Sequence, residues 1–360
     1  MFMSLRVFEG REIMELLYEL MKQMEQTETI GELRVCHYEL ARRLRLVLQW
    51  ERIELLSHIV SEAHEVLMQR AFQLAEEETL RAAVGIRPRK WCWYVMGSLG
   101  RREPTIWTDQ DNGILFECGG HEEKECYEFV RHMAAVGTNY LYEIGYPYCP
   151  GYVMATNKRW GQSLADWENQ IKTYIRDRLP NDIRFLFIAI DMRPIYGDSQ
   201  LVIDRRQALF DWIHREPQLL QQMGEHVMFP TVPLGWFHNV QIERWGAYSG
   251  AIHMKHGGYV QIVNALKWLS CFANISAATT LERWNEITKQ ALLPLELAKE
   301  AKEALSIYYY VRLKYATEAG SDRDYVLWRT LEANERKWLK KAMRIAKKMQ
   351  RFVARQAGGK

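Results

Sequence analysis

Apolar residues recur three and four positions apart from about residue 11 to residue 80: Ile13, Leu16, Leu17 and Leu20, then Leu40, Leu44, Val47 and Leu48, then Ile53, Leu56, Ile59 and Val60. Gly and Pro are nearly absent from this part, so the spacing predicts an all-helical module. The breaker cluster Gly85-Ile86-Arg87-Pro88 ends it. Two short β-prone runs follow, WCWYVM (91–96) and GILFE (113–117), and read as strands joined by a Gly-rich turn. Residues 121–144 are again helical in pattern, 145–157 form a Gly/Pro/Tyr loop, and a helix through Trp167, Ile171 and Tyr174 leads to Pro180. The run RFLFIAIDMRPIYGD (184–198) is the strongest continuous apolar stretch and reads as a central strand covered on both faces. Beyond residue 200 the period is helical almost throughout. The expected fold is therefore α+β, with a small sheet domain (89–200) between an N-terminal helical module (1–88) and a C-terminal helical bundle (201–360).

Composition narrows the function classes. In 360 residues, 48% are hydrophobic and 26% charged, with a formal net charge of +3. No global field calls for a nucleic acid or a membrane, so any electrostatic argument has to be local. MFMSLRVFEGREIMELL carries charges too early for a signal peptide, and no run of about 18 apolar residues occurs, so a cytoplasmic protein is expected. The six cysteines (Cys36, Cys92, Cys118, Cys126, Cys149, Cys271) include no CxxC pair and no matching histidine spacing. Reduced thiols, with neither a zinc site nor a disulfide framework, are the expectation.

Charge clusters in two places. The C-terminal segment sets Arg336, Lys337, Lys340, Lys341, Arg344, Lys347, Lys348, Arg351 and Arg355 around an apolar stripe of Leu339, Ala342, Ala346, Met349 and Val353. The stripe should dock on a bundle, and no nucleic-acid-binding signature accompanies the basic face. The second cluster is WYVMGSLGRREPTIWTDQDNGILFE (93–117), between the two predicted strands. Asp109 and Asp111 are one residue apart beside a strand, which points both carboxylates to one face, roughly 7 Å apart along the chain. Two hard oxygen donors at that spacing suit a pair of magnesium ions about 3.5–4 Å apart, bridged by a carboxylate and a substrate phosphate. Gly97-Ser98 ends the first strand at the expected start of a short helix. Backbone N–H groups, a hydroxyl and a residue without Cβ would there cradle a triphosphate. Arg101 and Arg102 could add charge-assisted contacts to phosphate oxygens. Acid-x-acid pairs and Gly-Ser dipeptides each recur in ordinary turns. The specificity lies in their order: strand, Gly-Ser, arginine pair, acid, Thr108-Asp109-Gln110-Asp111, strand.

That order, G97-S-L-G-R-R-E103 with T108-D-Q-D-N112, resembles the DUF294 nucleotidyltransferases, a branch of the polymerase-β-like nucleotidyltransferase superfamily related to the N-terminal domain of PII uridylyltransferase. C149-P-G-Y-V-M-A-T-N157 with Trp160 is similar to that family's second signature, and D191-M-R-P-I-Y-G-D198 to its third. I252-H-M-K-H-G-G258 and T279-T-L-E-R283 resemble its helical C-terminal domain, departing from it at His253 and His256. The likeness spans roughly residues 50 to 350. It implies a mixed-sheet polymerase-β-like domain and a metal-dependent transfer of a nucleoside monophosphate from an NTP to a hydroxyl of a protein or small molecule, with release of pyrophosphate. By the same resemblance Asp109, Asp111 and Asp191 would hold two Mg²⁺ or Mn²⁺ ions, and Ser98 with the Gly97 backbone would hold the β- and γ-phosphates. Arg101 and Glu103 lie inside the motif, and both a turn-fixing pair and direct phosphate contact are open to them. The base, the acceptor and any homo-oligomer stay open. A nucleotide sensor that transfers nothing is the alternative, with a role in signalling or regulation in either case.

Overall fold

Thr29 starts a helix near the N-terminus by accepting from the Glu32 N–H, while the Glu32 carboxylate accepts from the Thr29 N–H at 3.0 Å. This reciprocal cap satisfies donors that a helix start leaves orphaned. The computed structural model describes residues 15–235, 239–315 and 324–358. Ile13, placed on the first helical stripe by the sequence, and the residues after Tyr315 expected to extend another helix lie outside them. The chain forms two compact units. The first takes the chain up to Gln170 together with Met192–Arg205, and the second takes Ile171–Asp191 and the chain from Arg206 onward.

In the first unit, helix α1 (15–26), α2 (Ile30–Val47) and α3 (Ile53–Arg81) bear out the helical spacing. Leu33, Cys36, Leu40, Leu44 and Val47 form the buried stripe of α2, and Leu56, Ile59, Val60 and Ala63 that of α3. Gly85, at φ +65, turns the chain into strand β1 (Lys90–Val95). A one-turn helix, α4 (Gly97–Gly100), then leads through a loop to β2 (Asn112–Glu117). Helix α5 (Glu123–Ile144), β3 (Gly161–Ser163) and β4 (Arg193–Gly197) complete a four-stranded sheet of order β3-β2-β1-β4. β1 is antiparallel to β2 and β4, and β2 is parallel to β3, so the sheet is mixed, as expected. Its core is aromatic: the Phe72 ring of α3 stacks on Trp93 of β1 at 4.0 Å, and Gly137 of α5 leaves room for the same indole.

The stretch 184–198 departs from the expectation of one central strand. Helix α7 (Pro180–Ala189) takes its first part, and only Arg193–Gly197 is strand, at the edge of the sheet. Pro180 sits in the first turn, where its missing N–H costs nothing, and Asp182 caps the start through the Leu179 N–H at 3.0 Å. Ile183, Leu186, Phe187 and Ile190 are buried at helical spacing.

The second unit contains α7, α9 (Pro217–Val227), α10 (Val260–Phe272), α11 (Thr280–Lys289), α12 (Leu295–Tyr315), α13 (Ala333–Gln356) and a two-stranded sheet of β5 (Ala251–His253) and β6 (Tyr325–Leu327). Helices α6 (Leu164–Asp177) and α8 (Ser199–His214) contain two of the three unit boundaries, and the third falls between Asp191 and Met192. The apolar stripe of α13 is buried, as the sequence anticipates. On its basic face, Lys341 reaches both carboxylate oxygens of Glu303 at 2.6 Å, and Lys348 reaches Glu300 at 2.8 Å. Part of the positive charge is thus matched from α12. The two histidines that depart from the family pattern stack at 4.2 Å, and the His253 Nδ1 accepts from the His256 N–H. Burial, reinforced by the neighbouring ring, holds His253 down at about 4, so it is neutral near pH 7. Among the described residues no helix is long and apolar enough to cross a membrane.

Candidate active site

β1 and β2 run antiparallel, so the end of one lies beside the start of the other. The Met96 N–H donates to the Asp111 carbonyl at 2.9 Å, which ties the Gly-Ser turn to the acid pair through the backbone. Gly97 follows with φ +57, a conformation that disfavours any residue with a Cβ. A Cβ built there would lie 2.1 Å from the Asp111 Oδ2, so the carboxylate occupies the space the missing side chain leaves. Gly97→Ala should therefore cost about 1–2 kcal/mol in backbone strain and also displace the Asp111 carboxylate. Urea unfolding should report the strain. Unchanged stability would exclude it.

The loop between α4 and β2 is held from several sides. Ser98 Oγ and Thr108 Oγ1 are 3.1 Å apart and both residues are buried. Arg101 and Glu103 form a buried ion pair, so the turn-fixing contact left open by the sequence is present. Glu65 of α3 grips Arg102 through both carboxylate oxygens, at 2.8 and 3.0 Å, and reaches Arg193 of β4 at 2.8 Å. Arg193 in turn donates to the Leu99 and Gly100 carbonyls, which close the last turn of α4. Further along, a ring nitrogen of His37 faces the Ile106 carbonyl at 2.9 Å, and the His64 Nε2 donates to the Thr105 carbonyl at 3.1 Å. Burial, then the neighbouring His37, drives the His64 pKa well below its ordinary value. A neutral ring accepts from the Tyr146 hydroxyl at Nδ1, at 2.6 Å. The N-terminal helices thus form the rear wall of the acid-bearing loop.

Alternation of side chains decides the roles within Asp109-Gln110-Asp111-Asn112. Gln110 and Asn112 are fully buried. The Gln110 amide donates to the Thr138 and Tyr146 carbonyls, the Asn112 amide donates to the Gln110 Oε1, and the Asn112 Oδ1 accepts from the Ala155 N–H. These two residues fasten the segment, and the two aspartates, both half-buried, take the other side. β2 itself begins at Asn112, so Asp109 and Asp111 lie in the approach to the strand. Gln110 pairs there with Tyr148 in a parallel bridge, its N–H donating to the Pro147 carbonyl, while the Asn112 N–H donates to the Val153 carbonyl. That pairing brings Cys149 beside the aspartates, and one ligand atom from each of Asp109, Asp111 and Cys149 lies within 4.8 Å of the others. Burial pushes the Cys149 thiol up to about 12, with the Asp111 charge and a hydrogen bond to Asp111 adding to it. The thiol is therefore a donor to the carboxylate.

Asp191 is placed differently from the strand end that the sequence assigned to it. It follows α7, one residue before the chain returns to the first unit, and is 1% exposed. Arg283 of α11 donates to its Oδ1 at 2.8 Å and Lys267 of α10 pairs with its Oδ2. Arg283 also donates to the Ile190 and Ala277 carbonyls, and Lys267 to the Phe187 carbonyl. The group of convergent donors around Asp109 and Asp111 contains Cys149. Sequence reasoning passed over His37, His64, Glu65 and Arg193 as site-forming residues. The buried alternation of Gln110 and Asn112 was the one signal that could have been read.

Two family models match the chain. One, described as "Putative nucleotidyltransferase DUF294", covers residues 39–181, and the other, described as "Putative nucleotidyltransferase substrate binding domain", covers 217–357. No curated protein matches.

Proposed function

Because the chain belongs to the DUF294 putative nucleotidyltransferase family, we propose that it transfers a nucleoside monophosphate from an NTP to a hydroxyl of a protein or small molecule, with release of pyrophosphate, in a regulatory role. The observation that carries this reading is the convergence of the Asp109 and Asp111 carboxylates, with that of Asp111 seated against Gly97. The donor set suits a divalent cation: two partly buried carboxylates converge, that of Asp111 in the space left by the absent Gly97 Cβ, and a nearby dication would relieve their mutual repulsion. Mg²⁺ or Mn²⁺ bound there, as one ion or two, would favour ionisation of the acceptor hydroxyl and neutralise charge on the phosphates. The Gly97 backbone and the Ser98 hydroxyl would face the β- and γ-phosphates. Arg101 and Glu103 would keep that turn in shape, and Gln110 and Asn112 would hold the aspartates in place so that little reorganisation is needed at the moment of reaction. The acceptor hydroxyl would attack the α-phosphorus as the bond to pyrophosphate breaks. We assign acceptor recognition to the second unit, on the description of the family model that matches it.

A sensor that binds nucleotide and transfers nothing is the second reading. It is favoured by the pairing of Asp191 with Lys267 and Arg283, which engages the carboxylate expected to complete the site.

Thermal unfolding with ATP, UTP, CTP and GTP, each with and without Mg²⁺ or Mn²⁺, tests nucleotide binding. A nucleotide at a hundredfold excess over its Kd should add about 2.7 kcal/mol of apparent stability, only when the metal is present, and an Asp109→Asn/Asp111→Asn chain should lose the shift. Labelled NTP then separates the readings, since transfer of label to an acceptor belongs to the enzyme alone. If no NTP raises the midpoint at millimolar concentration, both fall.

A further inference from the structure

We propose that Cys149 is a direct metal ligand, the third donor beside Asp109 and Asp111, and that this thiol gives the site a preference for a thiophilic divalent cation such as Zn²⁺ over Mg²⁺. The inference rests on the metal-site reading above and deepens it. Its basis is the placement of the sulfur. Cys149 Sγ lies within 4.8 Å of a carboxylate oxygen of each aspartate, and backbone hydrogen bonds on both sides of the cysteine, at Pro147 and Val153, fix that loop to the acid-bearing segment. Cys149 is 8% exposed, so its neighbours restrict the directions open to the side chain.

Chemistry supplies the preference. Two carboxylates alone form a hard oxygen site of the kind that Mg²⁺ and Ca²⁺ occupy. Replacing a third oxygen by sulfur raises affinity for Zn²⁺ and Co²⁺, which bind thiolates strongly, and adds little for Mg²⁺, which does not. On binding, the S–H bond breaks, the metal–sulfur bond forms, and the proton leaves to solvent. The cysteine spacing argues only against zinc sites built from paired Cys and His motifs. A ligand set of two carboxylates and one thiol, joined by folding, has no such motif.

Cobalt separates this inference from the reading beneath it. The metal-stripped full-length protein is titrated with Co²⁺ and followed in the visible range, where the bound ion absorbs, and in the near ultraviolet, where a sulfur-to-cobalt charge-transfer band reports a thiolate ligand. The proposal expects both signals in the parent chain, the visible signal alone in Cys149→Ser and Cys149→Ala, and neither in Asp109→Asn/Asp111→Asn. Competition against Co²⁺ should show Zn²⁺ affinity falling about tenfold or more in Cys149→Ser, while Mg²⁺ affinity changes by less than about twofold. Visible absorption without the near-ultraviolet band overturns the cysteine ligand and leaves the carboxylate site standing. A near-ultraviolet band that persists in both cysteine variants assigns it to another thiol and overturns the proposal equally. No bound Co²⁺ at millimolar concentration overturns the carboxylate site itself. Far-ultraviolet circular dichroism of each variant guards against a lost fold, and the alanine variant keeps the test decisive if the serine one misfolds.

Discussion

Asp111→Asn should leave the chain folded and slow nucleotide transfer by about a thousandfold or more, equivalent to about 4 kcal/mol of transition-state stabilisation. The substitution keeps the shape that fits against Gly97 and removes the charge. A neutral amide still offers one oxygen, but in the proposed mechanism it would no longer help to hold a dication where negative charge would develop, and electrostatic stabilisation of that kind is commonly the largest single term in catalysis. Asp109→Asn should behave in the same way. The measurement is kcat/KM with labelled NTP once an acceptor is in hand, beside a urea unfolding curve for each variant. The two variants are informative because Gln110 and Asn112, which fasten the segment, are untouched. A variant that keeps a tenth or more of the parent rate would remove its aspartate from the chemistry.

The second large effect concerns stability. Asp191→Asn should destabilise the second unit by about 3–5 kcal/mol, because it leaves Lys267 and Arg283 buried without the carboxylate that compensates them. Arg283 is wholly buried and Asp191 is 1% exposed, so water cannot take over the role. Replacement of Arg283 by methionine should cost a similar amount for the converse reason. Its guanidinium joins the end of α7 to the start of α11 through the Ile190 and Ala277 carbonyls, which would lose a donor. Equilibrium unfolding in urea, with ΔG extrapolated to water, gives the comparison. The outcome also decides what Asp191 does. If Asp191→Asn stays within about 0.5 kcal/mol of the parent, the range of a change away from any buried network, and yet abolishes transfer, the carboxylate belongs to the chemistry after all.

The Asp191 neighbourhood marks where sequence patterning ran out. Four buried residues of α7 and its C-cap, Ile183, Leu186, Phe187 and Ile190, do carry a helical period, and Arg184 between them is exposed. Phe185, Ile188 and Ala189 fill the gaps with further apolar side chains. A short run that is apolar at nearly every position has no readable period, and it fits a buried strand and a buried helix equally. Pro180 and Asp182 were the signals that favoured a helix start. In 93–117 no such ambiguity arose. Five of the six β1 residues are buried, β2 shows the same, and a glycine at positive φ opens the short helix that follows β1. Strand, turn and acid pair were therefore all legible.

By itself the sequence determined the local elements around the site, the pairing of Asp109 with Asp111, the need for a glycine at residue 97 and the helical character of most of the chain. These follow from side-chain periodicity and backbone freedom, which act over a few neighbouring residues. Only the tertiary structure decided that Cys149 joins the aspartates, that His37, His64 and Glu65 wall the loop from behind, and that Asp191 is matched by Lys267 and Arg283. Each of those depends on a buried polar or charged group finding its partner far along the chain. Desolvation makes such a partner obligatory, but only packing selects which residue supplies it.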